Sequence, residues 1–342
     1  MASEPARPWP NQVPARRADE PLRVSYVTVV KNAARTIERT LLSVREQHWP
    51  EVEHVVLDGA STDGTWAIVQ RHAATLAYAH STPDGGLYEA LNAAIAHTSG
   101  DLICVLNGDD WLTPDAAAIA AGACGQDRGD TPFIVCTAVW VEEPAGGRRL
   151  WLPDPLGAGS LLSCANICHN GVYATRAAYA ATGPYVTDLR IAADFAWLIA
   201  CVRSGVAVRH SERPTMHYSL GGLSSDTRRH TQECAMVLQR CVPSLSEAET
   251  WGLLHCFHQP AHRLEAFEAH RPSHFGRFLQ AVSLRQGDDA LLMRALAQAC
   301  ATQMRHPADA GPAGQLSRRE KLRRSLRKRW IGLRQQLTAG GR

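Results

Sequence analysis

The chain has 342 residues, 45% hydrophobic and 20% charged, with a formal net charge of +3, a balance that suits a globular protein with a sizeable core. No run approaches the ~20 apolar residues of a membrane-spanning helix, and ten cysteines without a CxxC pair point to reduced thiols in a cytoplasmic compartment rather than a disulfide framework. Nine Lys/Arg and one Glu between Arg318 and Arg334 carry +8, leaving −5 for the remainder, so a uniformly basic nucleic-acid-binding domain is not indicated and no nucleic-acid partner is expected.

In chain order, residues 1–22 contain five prolines and no apolar core, and read as a disordered arm rather than a secretory signal. VSYVTVV, Val24–Val30, is β-branched and aromatic and predicts a first strand. Past Lys31 and Asn32, Ile37, Leu41 and Val44 recur at helical spacing. Val52–Leu57 predict a second strand tipped by Asp58, and a Gly/Ser/Thr/Asp loop follows in which Ser61 or Asp63 can cap free amides ahead of a helix starting at TWAIVQRHA. A short strand is expected at Leu76–His80, a turn at PDGG, a helix from Leu87 ending at Gly100, and a strand at Leu102–Leu106. This β-α-β-α-β-α-β alternation favours a mainly parallel, doubly wound α/β sheet.

Beyond residue 110 the pattern becomes mixed. A helix is expected at Pro114–Ala123, a strand at Pro132–Val141 with a hairpin partner at Arg148–Leu152, a strand at Gly171–Thr175, and a helix at Ala193–Ser204 whose apolar face carries Phe195, Leu198, Ile199 and Val202. Helix signals dominate from Glu233, so the expected organisation is a main domain over 23–225, a helical appendage over 226–312 and a basic tail over 313–342.

The most informative residues are Asp109 and Asp110 in ICVLNGDDW, two acids side by side at the end of an apolar strand. Their repulsion is commonly relieved by a divalent cation with oxygen ligands, itself bridging to phosphate, although NGDD is also the composition of a solvated turn. Asp58 is a second acid at a strand end, and in open α/β sheets ligands lie in the crevice at the carboxyl ends of the strands.

VTVVKNAARTIERTLLSV, VLDGASTDGT, PDGGLYEALNAAI, SGDLICVLNGDDW, HNGVYATR, IAADFAWL and GGLS follow one another over about 200 residues. In that order they make residues 23–225 resemble a family 2 glycosyltransferase. The resemblance implies a GT-A fold, a Rossmann-like mainly parallel sheet here followed by a C-terminal helical extension. It also implies transfer of a sugar from a UDP- or GDP-sugar with inversion, aided by Mg²⁺ or Mn²⁺. Asp58 then faces the nucleoside, its alternative being a helix-capping turn. Asn107 and Asp109 stand at the ends of the D-x-D motif with Asn replacing the first acid, which makes Asp109 the metal ligand and Asp110 a supporting acid. Asp194 matches the general base, its alternative being a helix N-terminal acid favoured by the dipole. His169 and Asn170 match a His-Gln pair shaping the sugar pocket. Gly222 and Ser224 belong to a segment closing over the donor, and His217 could complete the metal shell, though a lone His is more often structural. Val29, Asn32, Asp84, Gly86 and Asn92 fall within donor-binding motifs, while Gly85 stands where a basic residue is common.

Two clusters invite a zinc reading and are discounted. Pro260 interrupts the spacing of His255, His258 and His262, and Cys164 and Cys168 lack a second pair. In the tail, Leu322, Leu326, Trp330, Leu333 and Leu337 form an apolar stripe on a cationic helix, suited to an anionic membrane surface or to a protein partner. The expected enzyme is therefore peripheral on the inner face of the cell membrane, acting on a glycan or lipid-linked acceptor in surface polysaccharide or lipid-linked oligosaccharide synthesis. Its rivals are a nucleotidyltransferase, which would want a Gly-rich basic loop after the first strand, and a non-catalytic membrane-associated scaffold.

Overall fold

The computed structural model describes residues 20–305 except 126, 128–130, 144–145, 165–166, 223–224 and 259–260; Ser224, the basic tail and the N-terminal arm up to residue 19 lie outside the described residues. β1 (Val24–Val30), α1 (Ile37–Arg45), β2 (Val52–Asp58), α2 (Thr65–Arg71), β3 (Tyr78–Ser81), α3 (Leu87–Ala96) and β4 (Leu102–Val105) follow the expected alternation. β1 pairs in parallel with β2 and β4, and β2 in parallel with β3. Strand β4 is buried at every position, as its unbroken LICV run requires of a strand covered on both faces. On α1 the spacing of Ile37 and Leu41 brings both against Val30, Val56 and Val69.

The second half is mixed, as expected, and contains β5 (Trp111–Leu112), α4 (Ala116–Cys124), β6 (Phe133–Glu142), β7 (Arg148–Trp151), α5 (Ser160–Ser163), β8 (Val172–Thr175), α6 (Arg176–Thr182), α7 (Ala193–Arg203) and β9 (Ala207–Ser219). All nine strands of the described residues form one sheet in the order β3-β2-β1-β4-β8-β6-β9-β5, with β7 on β6. β8 runs antiparallel to β4 and β6, whereas β9 is parallel to β6. The alanine face of α4 covers Tyr26, Cys104, Phe133 and Val135. Strand β9 escaped the sequence reading because its charges and Pro214 break the apolar alternation. The β6–β9 register shifts next to Ala138 and Pro214, where an irregularity lets a strand carry proline.

Among the described residues, those from Glu20 to Pro155 and from 167 to Asp226 form one compact unit. A second comprises Leu156–Cys164 with α8 (Thr227–Cys241), α9 (Glu247–Phe257), α10 (Phe275–Arg285) and α11 (Ala290–Arg305). Residues 156–164, counted in the main domain on sequence, thus pack with the later helices, and the Gly159 amide donates to Gln298 Oε1 at 2.9 Å. A Ser246–Glu249 capping box starts α9. His255 and His258 place ring nitrogens on the carbonyl oxygens of Phe267 (2.8 Å) and Ser163 (3.3 Å). Among the described residues no helix is long and apolar enough to cross a membrane.

His54 on β2 is buried, with Nε2 on Thr28 Oγ1 at 2.9 Å and no partner for Nδ1. Burial pushes its pKa down to about 3. In the unfolded chain a His protonates near ~6.5, so the stability His54 contributes is present above that pH and is lost as pH falls toward the folded value. His54→Gln should therefore flatten the acid side of the stability curve, by up to ~1.4 kcal/mol per pH unit below about 6.5. Urea unfolding at pH 7.5 and 5.0 checks this; equal losses in both proteins would contradict it.

Candidate active site

The carboxyl ends of β1 and β2 are stitched together by their loops. Asn32, in the left-handed region at φ 54°, donates its amide to Ser61 Oγ (2.7 Å) and accepts from the Thr62 amide at Oδ1 (2.9 Å). Asp63 accepts from the amides of Ala34 and Thr65, each at 3.0 Å, capping free donors as expected. Asp58 ends β2 almost fully buried, with Oδ2 receiving the Ser61 amide (3.0 Å) and the Ser81 hydroxyl (2.6 Å). Its Oδ1 is buried without a hydrogen-bond partner, an acceptor available to an N–H or O–H group. Val29 lies opposite Leu57 in the register, one step from Asp58.

Asp84 adjoins this end of the sheet. Its Oδ2 lies 2.6 Å from where a Cβ on Gly59 would stand, so only a bare backbone lets the two loops approach this closely. Oδ1 accepts from the Gly86 amide at 3.1 Å, and Gly86, at φ 138°, turns the chain into α3. At position 85, where a basic residue is common in the family resembled, the Glu89 carboxylate occupies the space a side chain would enter. Asn92 has both ends of its amide on the backbone of Tyr185, at 2.8 and 2.9 Å, and so fastens a loop.

The NGDD turn follows β4. A side chain at Gly108 would run into Val30. Three residues of α1 brace the turn: Arg39 donates to the Asp109 carbonyl (2.9 Å), Thr40 to the Asp110 carbonyl (2.6 Å), and Ser43 Oγ accepts from the Leu112 amide (3.1 Å). Asp110 is buried and committed at both oxygens, Oδ1 accepting from the Ser219 amide (2.7 Å) and Oδ2 from the Asn170 side-chain amide. Burial first, then the adjacent Asp109, pushes its pKa up to about 8, against hydrogen bonds from Ser219, Asn170 and Asn107. A cation on Asp109 would offset that repulsion, while burial, the larger cause, would remain.

Asp109 is the half-buried partner, its pKa raised by burial against its own amide and Arg39. Among the described residues no other side chain hydrogen-bonds its carboxylate, and the Cβ position of Gly222 lies 4.0 Å from Oδ2. On β9, His217 Nδ1 lies 2.7 Å from Glu142 Oε1; because a carboxylate accepts, Nδ1 is the donor, and Nε2 is the ring nitrogen turned away from that pair. A carboxylate behind the imidazole is the usual second partner of a metal-binding His. In donor chemistry, a carboxylate oxygen such as that of Asp109 and an imidazole nitrogen such as that of His217 suit a divalent cation like Mn²⁺. The His217 ring stacks on Trp111 (4.7 Å, 4°), and the Arg39 guanidinium lies 3.5 Å from the same Trp111 ring. No cluster of three or more His, Cys, Asp or Glu suited to a metal occurs among the described residues.

Asp194 opens α7, half-buried, its Oδ1 accepting from the Phe195 amide (2.7 Å) with the Tyr88 hydroxyl 3.3 Å away. His169, Tyr179, Tyr185 and Trp197 form an aromatic cluster, with Tyr185 Oη 3.0 Å from both His169 Nε2 and Tyr179 Oη. Burial holds His169 below the usual imidazole range, opposed by the Asp194 charge, and leaves its Nδ1 unpartnered. Asn170 bonds Asp110, so the His169–Asn170 turn joins the NGDD turn to the aromatic cluster. Tyr88, Arg39, Glu142 and Ser219 were missed on sequence; Tyr88 lies inside PDGGLYEALNAAI, and that placement was its one signal.

Residues 25–136 match the model of Glycosyl transferase family 2. An uncharacterised glycosyltransferase of Mycobacterium tuberculosis is 32% identical over 191 residues, 54% of this chain and 72% of the relative. A PGL/p-HBAD biosynthesis glycosyltransferase of Mycobacterium bovis is 28% identical over 213 residues, 59% of this chain and 78% of the relative. Among solved structures, Staphylococcus aureus TarS in complex with UDP-GlcNAc is similar at a TM-score of 0.54 and 16% identity, covering 82% of this chain and 81% of that one. A Pyrobaculum calidifontis mannosyltransferase in complex with GDP-Man and Mn²⁺ is similar at 0.53 and 20%, covering 91% and 85%. These structures share the GT-A fold with the chain.

Proposed function

Because the chain belongs to glycosyltransferase family 2, we propose that it inverts the anomeric centre of a UDP- or GDP-sugar while transferring the sugar to a hydroxyl of a lipid-linked or surface glycan. The observation that carries this reading is the contrast between two neighbouring acids: Asp110 is committed at both oxygens, whereas the Asp109 carboxylate is held in place by its backbone and left to a ligand. Asp109, with His217, would hold a divalent cation, which when bound supplies a Lewis acid for the departing diphosphate. Asp58 Oδ1 accepts from the nucleoside, and the Asp84–Gly86 turn lines the same end of the sheet. In the transfer the acceptor oxygen bonds to the anomeric carbon as the bond to the diphosphate oxygen breaks, and the acceptor's proton passes to Asp194. A glycolipid or polysaccharide acceptor is supported by the biosynthetic role in the name of the Mycobacterium bovis relative.

A thermal-shift screen tests donor recognition. UDP-N-acetylglucosamine, UDP-glucose and GDP-mannose, each with and without Mn²⁺, are expected to yield at least one metal-dependent rise in melting temperature. A donor at about 100 times its Kd stabilises by ~2.7 kcal/mol. A flat response to every nucleotide sugar with Mn²⁺ or Mg²⁺ would count against a donor site.

A further inference from the structure

Tyr88 stands on the first turn of α3, two residues after Gly86, and is buried. Its hydroxyl reaches the Ile191 carbonyl at 2.5 Å and Asp194 Oδ1 at 3.3 Å. One phenolic group thus touches the turn leading into α7 and the carboxylate that opens it. Oδ1 also receives the Phe195 amide, while no hydrogen bond from the described residues reaches Oδ2. Resting on the reading of Asp194 as the base, we propose that Tyr88 is the positioning residue of that base, holding Oδ1 so that Oδ2 is the atom that takes the acceptor's proton.

The chemistry of the two oxygens supports this division. A carboxylate oxygen that already accepts from an amide and faces a hydroxyl is a poorer proton acceptor than its uncommitted twin. The chain between Asp84 and Tyr88 adds a further consequence. Asp84 lies against Gly59, beside the nucleoside acid Asp58, and its Oδ1 fixes the Gly86 amide at the start of α3. The helix that begins at this donor loop therefore carries, one residue into its first turn, the hydroxyl that holds the base. Donor loop and the hydroxyl that reaches the base thus share one helix, α3, which ties the position of the base on α7 to that of the donor.

The test compares Tyr88→Phe, Asp194→Asn and the double variant, using hydrolysis of the nucleotide sugar found in the thermal screen, with Mn²⁺ and water as acceptor. Tyr88→Phe keeps the ring and removes the hydroxyl. It should lower kcat roughly tenfold, as the loss of one hydrogen bond to a charged group would, with donor KM within about twofold because that bond touches no donor group. In the Asp194→Asn background the same change should cost nothing further, since the group through which it acts is gone. Wild-type kcat in Tyr88→Phe beside a slow Asp194→Asn would overturn the role of Tyr88 while leaving the base intact. An additional loss in the double variant, or a parallel loss of donor affinity, would also overturn it. Wild-type turnover in Asp194→Asn would instead remove the base and this inference with it. Should Tyr88→Phe not fold, 4-aminophenylalanine at position 88 retains N–H donors and is expected to stay within about threefold of wild-type kcat; turnover at the Asp194→Asn level in that folded protein would overturn the proposal.

Discussion

Asp194→Asn is expected to bind donor and Mn²⁺ with near wild-type affinity and to transfer sugar at least ~100-fold more slowly, the scale of losing a positioned general base. The isosteric amide still accepts the Phe195 amide at Oδ1, the bond that orients the side chain at the start of α7. What it loses is an oxygen able to take a proton. The negative charge at a helix N-terminus is worth only ~1 kcal/mol or less at a half-exposed position, so the melting temperature should move little. Turnover, donor affinity and melting temperature measured on one preparation decide the matter. Wild-type turnover would remove the base assignment, and loss of donor binding or of the fold would make Asp194 a structural residue.

Asp109→Ala should separate the same quantities in the opposite way. Donor affinity in Mn²⁺ should fall at least ~100-fold, because even outer partners of metal ligands cost 10–100-fold when removed. The residual binding should no longer depend on Mn²⁺. Asp110→Ala is a different experiment, since it strips acceptors from the Ser219 amide and the Asn170 side chain and should lower the melting temperature by leaving both donors unpaired. Calorimetry with and without Mn²⁺ reads the Asp109 result; metal-dependent affinity preserved in Asp109→Ala would exclude Asp109 as a ligand.

Much of this arrangement was legible in the sequence where local patterns carry it. The LICV run, the Ile37–Leu41–Val44 spacing and the acids closing β2 and following β4 each depend on a few neighbouring residues, and each stands where expected. What escaped is what only long-range pairing reveals. Nothing in RTLLS announces that Arg39, Thr40 and Ser43 hold a turn some 70 residues away. Nor does HYSLGG show that Ser219 donates to Asp110, because β9 becomes a strand by lying beside β6, not by its own alternation. Asn92 illustrates the converse: its place in a donor motif suggested ligand contact, while its amide is occupied by the Tyr185 backbone.

The two N–H donors on Asp110 also bear on how the protein is made. They come from residues 60 and 109 positions later in the chain, Asn170 and Ser219. A nascent polypeptide can complete β1 to β4 once residue 105 has emerged, since these strands pair through short βαβ steps with modest loop-closure cost. At that stage the edge of β4 that β8 will cover is still open, and the acid pair has neither of its amide clamps. Closure waits for β8 and then for the end of β9, so during vectorial synthesis β1 to β4 precede the clamping of Asp110 by more than a hundred residues of translation. Until then, the β4 edge is open to pairing with another strand, beside two carboxylates without their amide partners.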